Sequence, residues 1–195
     1  MWKNKFAKYI LEKFILKQGT SDSDKIVYLY GLSAGITILE NIVITLVLGF
    51  IFGNIIQTMI FLLSYIPLRS YAGGYHAKTE QICFIFSTLL IIVVEVFFSN
   101  FFRFNYVNLM GFVIISIFTI VINSPFESES KLLSVIERKF YKRTVKLVLV
   151  FESVVILLCV VNKQSIIFSG IAAAIFSEAM LITFGSLVNR IRGRK

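Results

Sequence analysis

Two residues able to do covalent chemistry stand seven positions apart in this chain. They are His76, the single histidine, and Cys83, one of two cysteines, in the stretch Arg69-Ser70-Tyr71-Ala72-Gly73-Gly74-Tyr75-His76-Ala77-Lys78-Thr79-Glu80-Gln81-Ile82-Cys83. Cysteine attacks a carbonyl as thiolate, and a free thiol is mostly protonated at neutral pH, so the nucleophile needs a base or a positive field. His76 is the residue type that takes such a proton, giving a thiolate-imidazolium pair. Cys83 opens an apolar segment, where Thr79 can cap a helix and the positive end of the helix dipole favours an anion.

Spacing constrains how the two side chains meet. Along one continuous helix they would be about 10.5 Å apart at 1.5 Å per residue, beyond hydrogen-bond reach. His76 is therefore expected on a loop folded back over the helix start. Gly73 and Gly74 supply permissive dihedrals for that loop and amides that could donate to an oxyanion. The same residues also fit an interfacial histidine, a small buried cysteine and a Gly-Gly turn, and spacing alone leaves both readings open.

The elements that must position this pair are apolar helices. Of 195 residues, 57% are hydrophobic, and the mean hydropathy is +0.82. A soluble domain of this size could not hide so much apolar surface. Six candidate transmembrane segments stand out, at about 26–48, 55–68, 82–98, 104–122, 145–161 and 166–188. The fold class expected is all-α, a polytopic membrane protein forming one domain over residues 1–195. Residues 1–18 place Trp2, Phe6, Tyr9, Ile10 and Phe14 at helical spacing opposite Lys5, Lys8 and Glu12, the pattern of an amphipathic helix lying in the inner interface.

Charge gives an independent test, because cytoplasmic loops near spans accumulate Lys and Arg. Six crossings with N-in and C-in topology leave Arg103 and Lys163 as the only basic residues outside, of 20 in all. The net charge of +9 is thus explained by topology and by an anionic inner leaflet. Nucleic acid is not an expected partner, since the basic residues collect at span ends rather than on a soluble domain.

Several chemistries are excluded by simple absence. A zinc protease needs two histidines, and an aspartyl site needs two aspartates within the spans, whereas Asp22 and Asp24 are the only aspartates and precede the first span. No metal and no cofactor is expected. Gly31-Leu32-Ser33-Ala34-Gly35 matches the spacing of a nucleophile elbow but lies inside a transmembrane segment, where small residues serve close helix approach instead. Glu40, Glu95, Glu152 and Glu178 lie in the spans, and no Lys or Arg is expected there to pair them. They support an alternative reading, a small membrane transporter or peptide exporter that moves cations along glutamates, with Glu178 the best candidate near the middle of the last span.

The wording around the pair is more specific than its spacing. Arg69-x-x-Ala72-Gly73-Gly74-Tyr75-His76-Ala77, with Cys83 seven residues beyond the histidine, closely resembles the signature of the accessory gene regulator protein B family. Those are membrane cysteine endopeptidases that process the precursors of cyclic quorum-sensing peptides. Chain length, an amphipathic N-terminus, six spans and a basic loop beginning Ser124-Pro125 extend the resemblance over essentially the whole chain. It implies Cys83 as nucleophile and His76 as general base, acting at the cytoplasmic face of a bacterial cell membrane. It also implies a precursor autoinducer peptide as substrate, released as a thiolactone or lactone, and a homodimer.

Supporting roles fall to neighbouring residues. Glu80 could orient His76, although a first-turn acid also suits a helix start. Arg69 could hold a substrate carboxylate in bidentate fashion, or simply anchor a span end. The loop 124–146 alternates Leu132, Leu133, Val135, Ile136 and Phe140 with Lys131, Arg138, Lys139, Lys142 and Arg143, as in a basic amphipathic helix on anionic lipid or a cradle for an acidic precursor tail.

Overall fold

Backbone groups that lose water must close their own hydrogen bonds, so long apolar runs become helices. The structure, a computed structural model, describes residues 22–74, 80–100, 106–126 and 134–191, and among these it holds six helices. They are α1 (Asp22–Ile51), α2 (Ile55–Ala72), α3 (Glu80–Asn100), α4 (Tyr106–Asn123), α5 (Val135–Val161) and α6 (Ser165–Ile191). Each overlaps one of the six apolar segments. Four are long and apolar enough to cross a membrane, over Gly31–Ile51, Ile82–Asn100, Val135–Val161 and Ser165–Ile191. Helices α2 and α4 have 18 residues each, about 27 Å at 1.5 Å per residue. The N-terminal amphipathic stretch 1–18 lies outside the described residues.

The chain divides into two compact units, Met1–Thr45 and Leu46–Lys195, with the boundary inside α1. The first contains the helical turns bearing Gly31-Leu32-Ser33-Ala34-Gly35. A helix leaves no strand-turn-helix for a nucleophile elbow, and a Cβ at Gly31 or Gly35 would meet nothing within 4 Å.

In the second unit α6 is the central helix, packed against α2, α3, α4 and α5. Its sequence explains this place. Ser169, Gly170, Ala172, Ala173, Ala174, Ser177 and Ala179 are all buried, and small residues let helix backbones approach without a hydrophobic driving force between them. At Gly170 the two helices come so close that an added Cβ would lie 2.7 Å from Ile60 Cγ2 and 3.0 Å from the Gln57 carbonyl oxygen. Around this seam Phe61, Leu68, Ile120, Val145, Phe168, Ile175 and Ile182 are essentially fully buried.

Helix α2 receives a buried glutamate from each of three other helices. Near its start, Thr58 Oγ1 donates to Glu95 Oε1 at 2.6 Å, and Asn54 Nδ2 donates to Glu95 Oε2 at 3.3 Å and to Ser99 Oγ at 3.0 Å. Midway, Ser64 donates to Glu152 of α5. At its end, Arg69 faces Glu178 of α6, with Nη1 3.9 Å from Oε1.

This last pair corrects the expectation that no cation lies among the spans. The helix continues four residues past the expected end at 68, so Arg69 sits in its last turn. The guanidinium reaches forward to the Gly73 carbonyl and across to Glu178, which ties it to the end of the bundle. Helix α5 likewise begins about ten residues earlier than the apolar segment 145–161. It is nucleated by a capping box in which Ser134 Oγ accepts from the Glu137 amide and Glu137 Oε2 accepts from the Ser134 amide at 2.9 Å. The basic stretch 135–146 is therefore the first three turns of a span-length helix, not a separate surface helix.

A candidate thiol site beside the glycine bend

Cys83 is the fourth residue of α3 and is half-buried. Its side chain lines a cavity of about 40 Å³ together with Tyr65 and Arg69 of α2, Phe86, Ser87 and Leu90 of α3, and Leu181 of α6. A water needs roughly 10–15 Å³ of such volume, so the space suits a group of a few atoms beside the sulfur rather than a whole peptide. Phe86 stacks on Phe184 at 5.3 Å between centroids and closes one wall. Leu181 stands ten residues before the end of α6, about 15 Å at 1.5 Å per residue, while Arg69 lies in the last turn of α2 and Cys83 near the start of α3. Both cysteines are free, Cys159 being buried.

The bend after α2 is built by glycine and held from two sides. Gly73 has φ +80° and Gly74 φ +131°, values that L side chains rarely adopt and glycine adopts freely. From one side, the Phe126 amide donates to the Ala72 carbonyl at 2.8 Å, and Phe126 forms a parallel bridge with Gly73. The preceding Ser124 and Pro125 are buried. From the other side, Arg69 Nη1 donates to the Gly73 carbonyl at 2.7 Å. Gly74 is buried against this guanidinium: an added Cβ would overlap Arg69 Nη1 and lie 3.6 Å from Glu178 Oε1.

Glu178 completes the cluster. It is fully buried, and neither carboxylate oxygen has a hydrogen-bond partner. The basic start of α5 packs nearby, with Tyr71 of α2 making edge-to-face contacts with Phe140 at 6.2 Å and Tyr141 at 5.5 Å. Arg138, Lys139, Lys142 and Arg143 flank these two rings along the helix.

Of the residues singled out by sequence, Cys83 and Arg69 meet at the cavity, and Arg69, Gly73, Gly74 and Glu178 form one contact group. Glu80 is the first residue of α3, and its side chain is outside the description. His76 and Thr79 lie outside the described residues. Tyr65, Phe86, Ser87, Leu90, Leu181 and Phe126 were not foreseen. Phe86, Ser87 and Leu90 follow Cys83 by three, four and seven, and Tyr65 precedes Arg69 by four, so helical spacing would have found those four. Leu181 and Phe126 carry no such signal, because they arrive from distant helices.

Fold and site together define an all-helical protein with several helices fit to span a membrane and a half-buried thiol among them. The family model described as "AgrB: Accessory gene regulator B" matches residues 3–184, and the chain belongs to that family. Two curated relatives from Clostridium perfringens are similar to it, "Putative AgrB-like protein 2" of strain 13 and "Putative AgrB-like protein" of strain SM101. Each is 29% identical over 116 residues, covering 60% of this chain and 52% of the relative. The chain thus spans about half the length of the curated relatives it matches. No solved structure matches.

Proposed function

We propose that the protein is a membrane-embedded cysteine endopeptidase that removes the C-terminal tail of a quorum-sensing pro-peptide and promotes its cyclisation. The observation that carries this reading is Cys83 lining a small cavity with Arg69, beside a bend in which Gly73 and Gly74 both take positive φ. Membership of the accessory gene regulator B family, associated with autoinducer-peptide processing, supports it.

His76 takes the Cys83 proton, and the sulfur attacks a backbone carbonyl of the precursor. The carbon-nitrogen bond then breaks, and the tail leaves as an amine carrying the proton returned by His76. The rest of the precursor stays on Cys83 as a thioester. A cysteine thiol or serine hydroxyl of the precursor attacks that carbonyl and closes the ring, while Cys83 leaves as thiolate and His76 accepts the proton. Thioester exchange nearly conserves acyl energy and hydrolysis discards it, so a cavity with room for only a few atoms favours ring closure.

The same proposal extends to topology, partners and assembly. The chain crosses a bacterial cell membrane six times with both ends inside, the site lies toward the cytoplasmic face, and two copies form a homodimer. The basic start of α5, anchored on Tyr71 beside the site, receives the precursor's acidic tail and the anionic inner leaflet. A glutamate-based transporter is less supported, because Glu95 accepts from Thr58 and Asn54 and Glu152 accepts from Ser64, as polar helix contacts do. The test is co-expression with a candidate precursor, comparing wild type with Cys83→Ala and His76→Ala at matched membrane levels. Tail loss in wild type alone, with a peptide adduct on Cys83, is expected. Unchanged processing by Cys83→Ala overturns the mechanism.

A further inference from the structure

Glu178 has no place in the peptidase chemistry just described, yet its surroundings single it out. Its carboxylate is wholly buried at the middle of α6 and accepts no hydrogen bond. A carboxylate within an apolar bundle is costly unless a counter-charge stands beside it. The counter-charge is Arg69, 3.9 Å away, too far for a hydrogen bond but close enough for strong attraction at low dielectric.

The guanidinium is thereby drawn toward the carboxylate while its Nη1 donates to the Gly73 carbonyl at 2.7 Å. Gly74 presses on the same group so closely that not even a Cβ fits. Arg69 also lines the cavity that holds Cys83, and Leu181, one turn beyond Glu178, forms another wall. Arg69 thus links the Glu178 charge on α6 to the thiol cavity.

We propose that Glu178 is a positioning residue of the thiol site: its carboxylate holds Arg69 against the Gly73 carbonyl, and so fixes both the bend at the end of α2 and the guanidinium that lines the Cys83 cavity. It also offsets the positive charge of Arg69 within the cavity. The kinetic half of this proposal rests on the peptidase reading; the electrostatic half does not.

The experiment has two readouts on the full-length protein in membranes. The first is kcat and KM for tail removal by wild type, Glu178→Gln, Arg69→Gln and the double variant. Misplacing a site by about an ångström costs up to about 100-fold, so Glu178→Gln is expected to lower kcat by about tenfold or more, with KM within about threefold. The second needs no precursor. Cys83 is alkylated with anionic iodoacetate or neutral iodoacetamide, each forming a sulfur-carbon bond with loss of iodide, and the Cys83 peptide is followed by mass spectrometry. Removing the carboxylate exposes the Arg69 charge, so the iodoacetate-to-iodoacetamide rate ratio is expected to rise about tenfold in Glu178→Gln.

Both effects should vanish in the Arg69→Gln background, where the double variant behaves as the single one. Losses that multiply instead, an unchanged alkylation ratio, or wild-type kcat in Glu178→Gln would each overturn the proposal. Should Glu178→Gln not accumulate, Glu178→Asp carries the same readouts, with a kcat loss of about threefold expected from pulling the charge back one methylene; wild-type kcat there overturns it equally. If wild type leaves the precursor intact, the peptidase reading falls, while the alkylation ratio still decides the role of Glu178.

Discussion

Adding one methyl group at Gly74 tests whether the bend is as tightly built as its contacts indicate. Gly74 has φ +131°, and holding an L residue in such a region costs about 1–3 kcal/mol. The new Cβ would also overlap Arg69 Nη1, forcing the guanidinium off the Gly73 carbonyl. A hydrogen bond from a charged donor contributes about 1.5–3 kcal/mol. Together Gly74→Ala should disfavour the site conformation by about 2.5–6 kcal/mol, or a loss of roughly 70-fold to 3 × 10⁴-fold in processing at 1.36 kcal/mol per tenfold. The assay is tail removal from a co-expressed precursor at matched membrane levels, beside thermal unfolding in detergent.

The control is Gly53→Ala, at the turn between α1 and α2. Gly53 also has positive φ, +74°, but a Cβ there would meet nothing within 4 Å. It carries the backbone strain without the collision, so processing per folded molecule should be unchanged. Gly74→Ala processing within about threefold of wild type would refute the reasoning, since that is roughly what 0.7 kcal/mol allows.

Two further substitutions separate packing from chemistry. Gly170→Ala puts a methyl 2.7 Å from Ile60 Cγ2 on the α2–α6 seam and should destabilise by about 1–3 kcal/mol, read as a lower thermal midpoint; an unchanged or raised midpoint would show that the seam has slack. Thr58→Val removes the 2.6 Å donor to the buried Glu95 and should cost about 1–3 kcal/mol of stability. Processing per folded molecule should hold, because Thr58 lies about 16 Å along α2 from Arg69 at 1.5 Å per residue; a processing defect without a stability defect would tie Glu95 to function.

Much of the architecture was legible because its causes are local. Each of the six apolar segments became a helix, as any long apolar run must where backbone groups cannot reach water. Boundaries were less legible. Arg69 read as a span-flanking residue, yet α2 continues to Ala72, because Gly73 and not the charge ends it. The start of α5 was written in Ser134 and Glu137, a capping box three residues apart, masked by the basic composition around it.

Within the site, sequence determined which residues can react and which can bend. Cys83 was singled out by its residue type and its place at a helix start, and Gly73 and Gly74 by the positive φ that only glycine takes without strain. Residue type and near spacing fix such properties before any folding. Tertiary structure alone decided the company they keep. Glu178 meets Arg69 across more than a hundred residues, Leu181 closes the thiol cavity, and Phe126 braces Gly73. These contacts follow from α6 lying at the centre of its unit, a place its small residues permit but do not specify. Which helix fills it is settled by how all the packed faces fit at once, and no stretch of local sequence contains that sum.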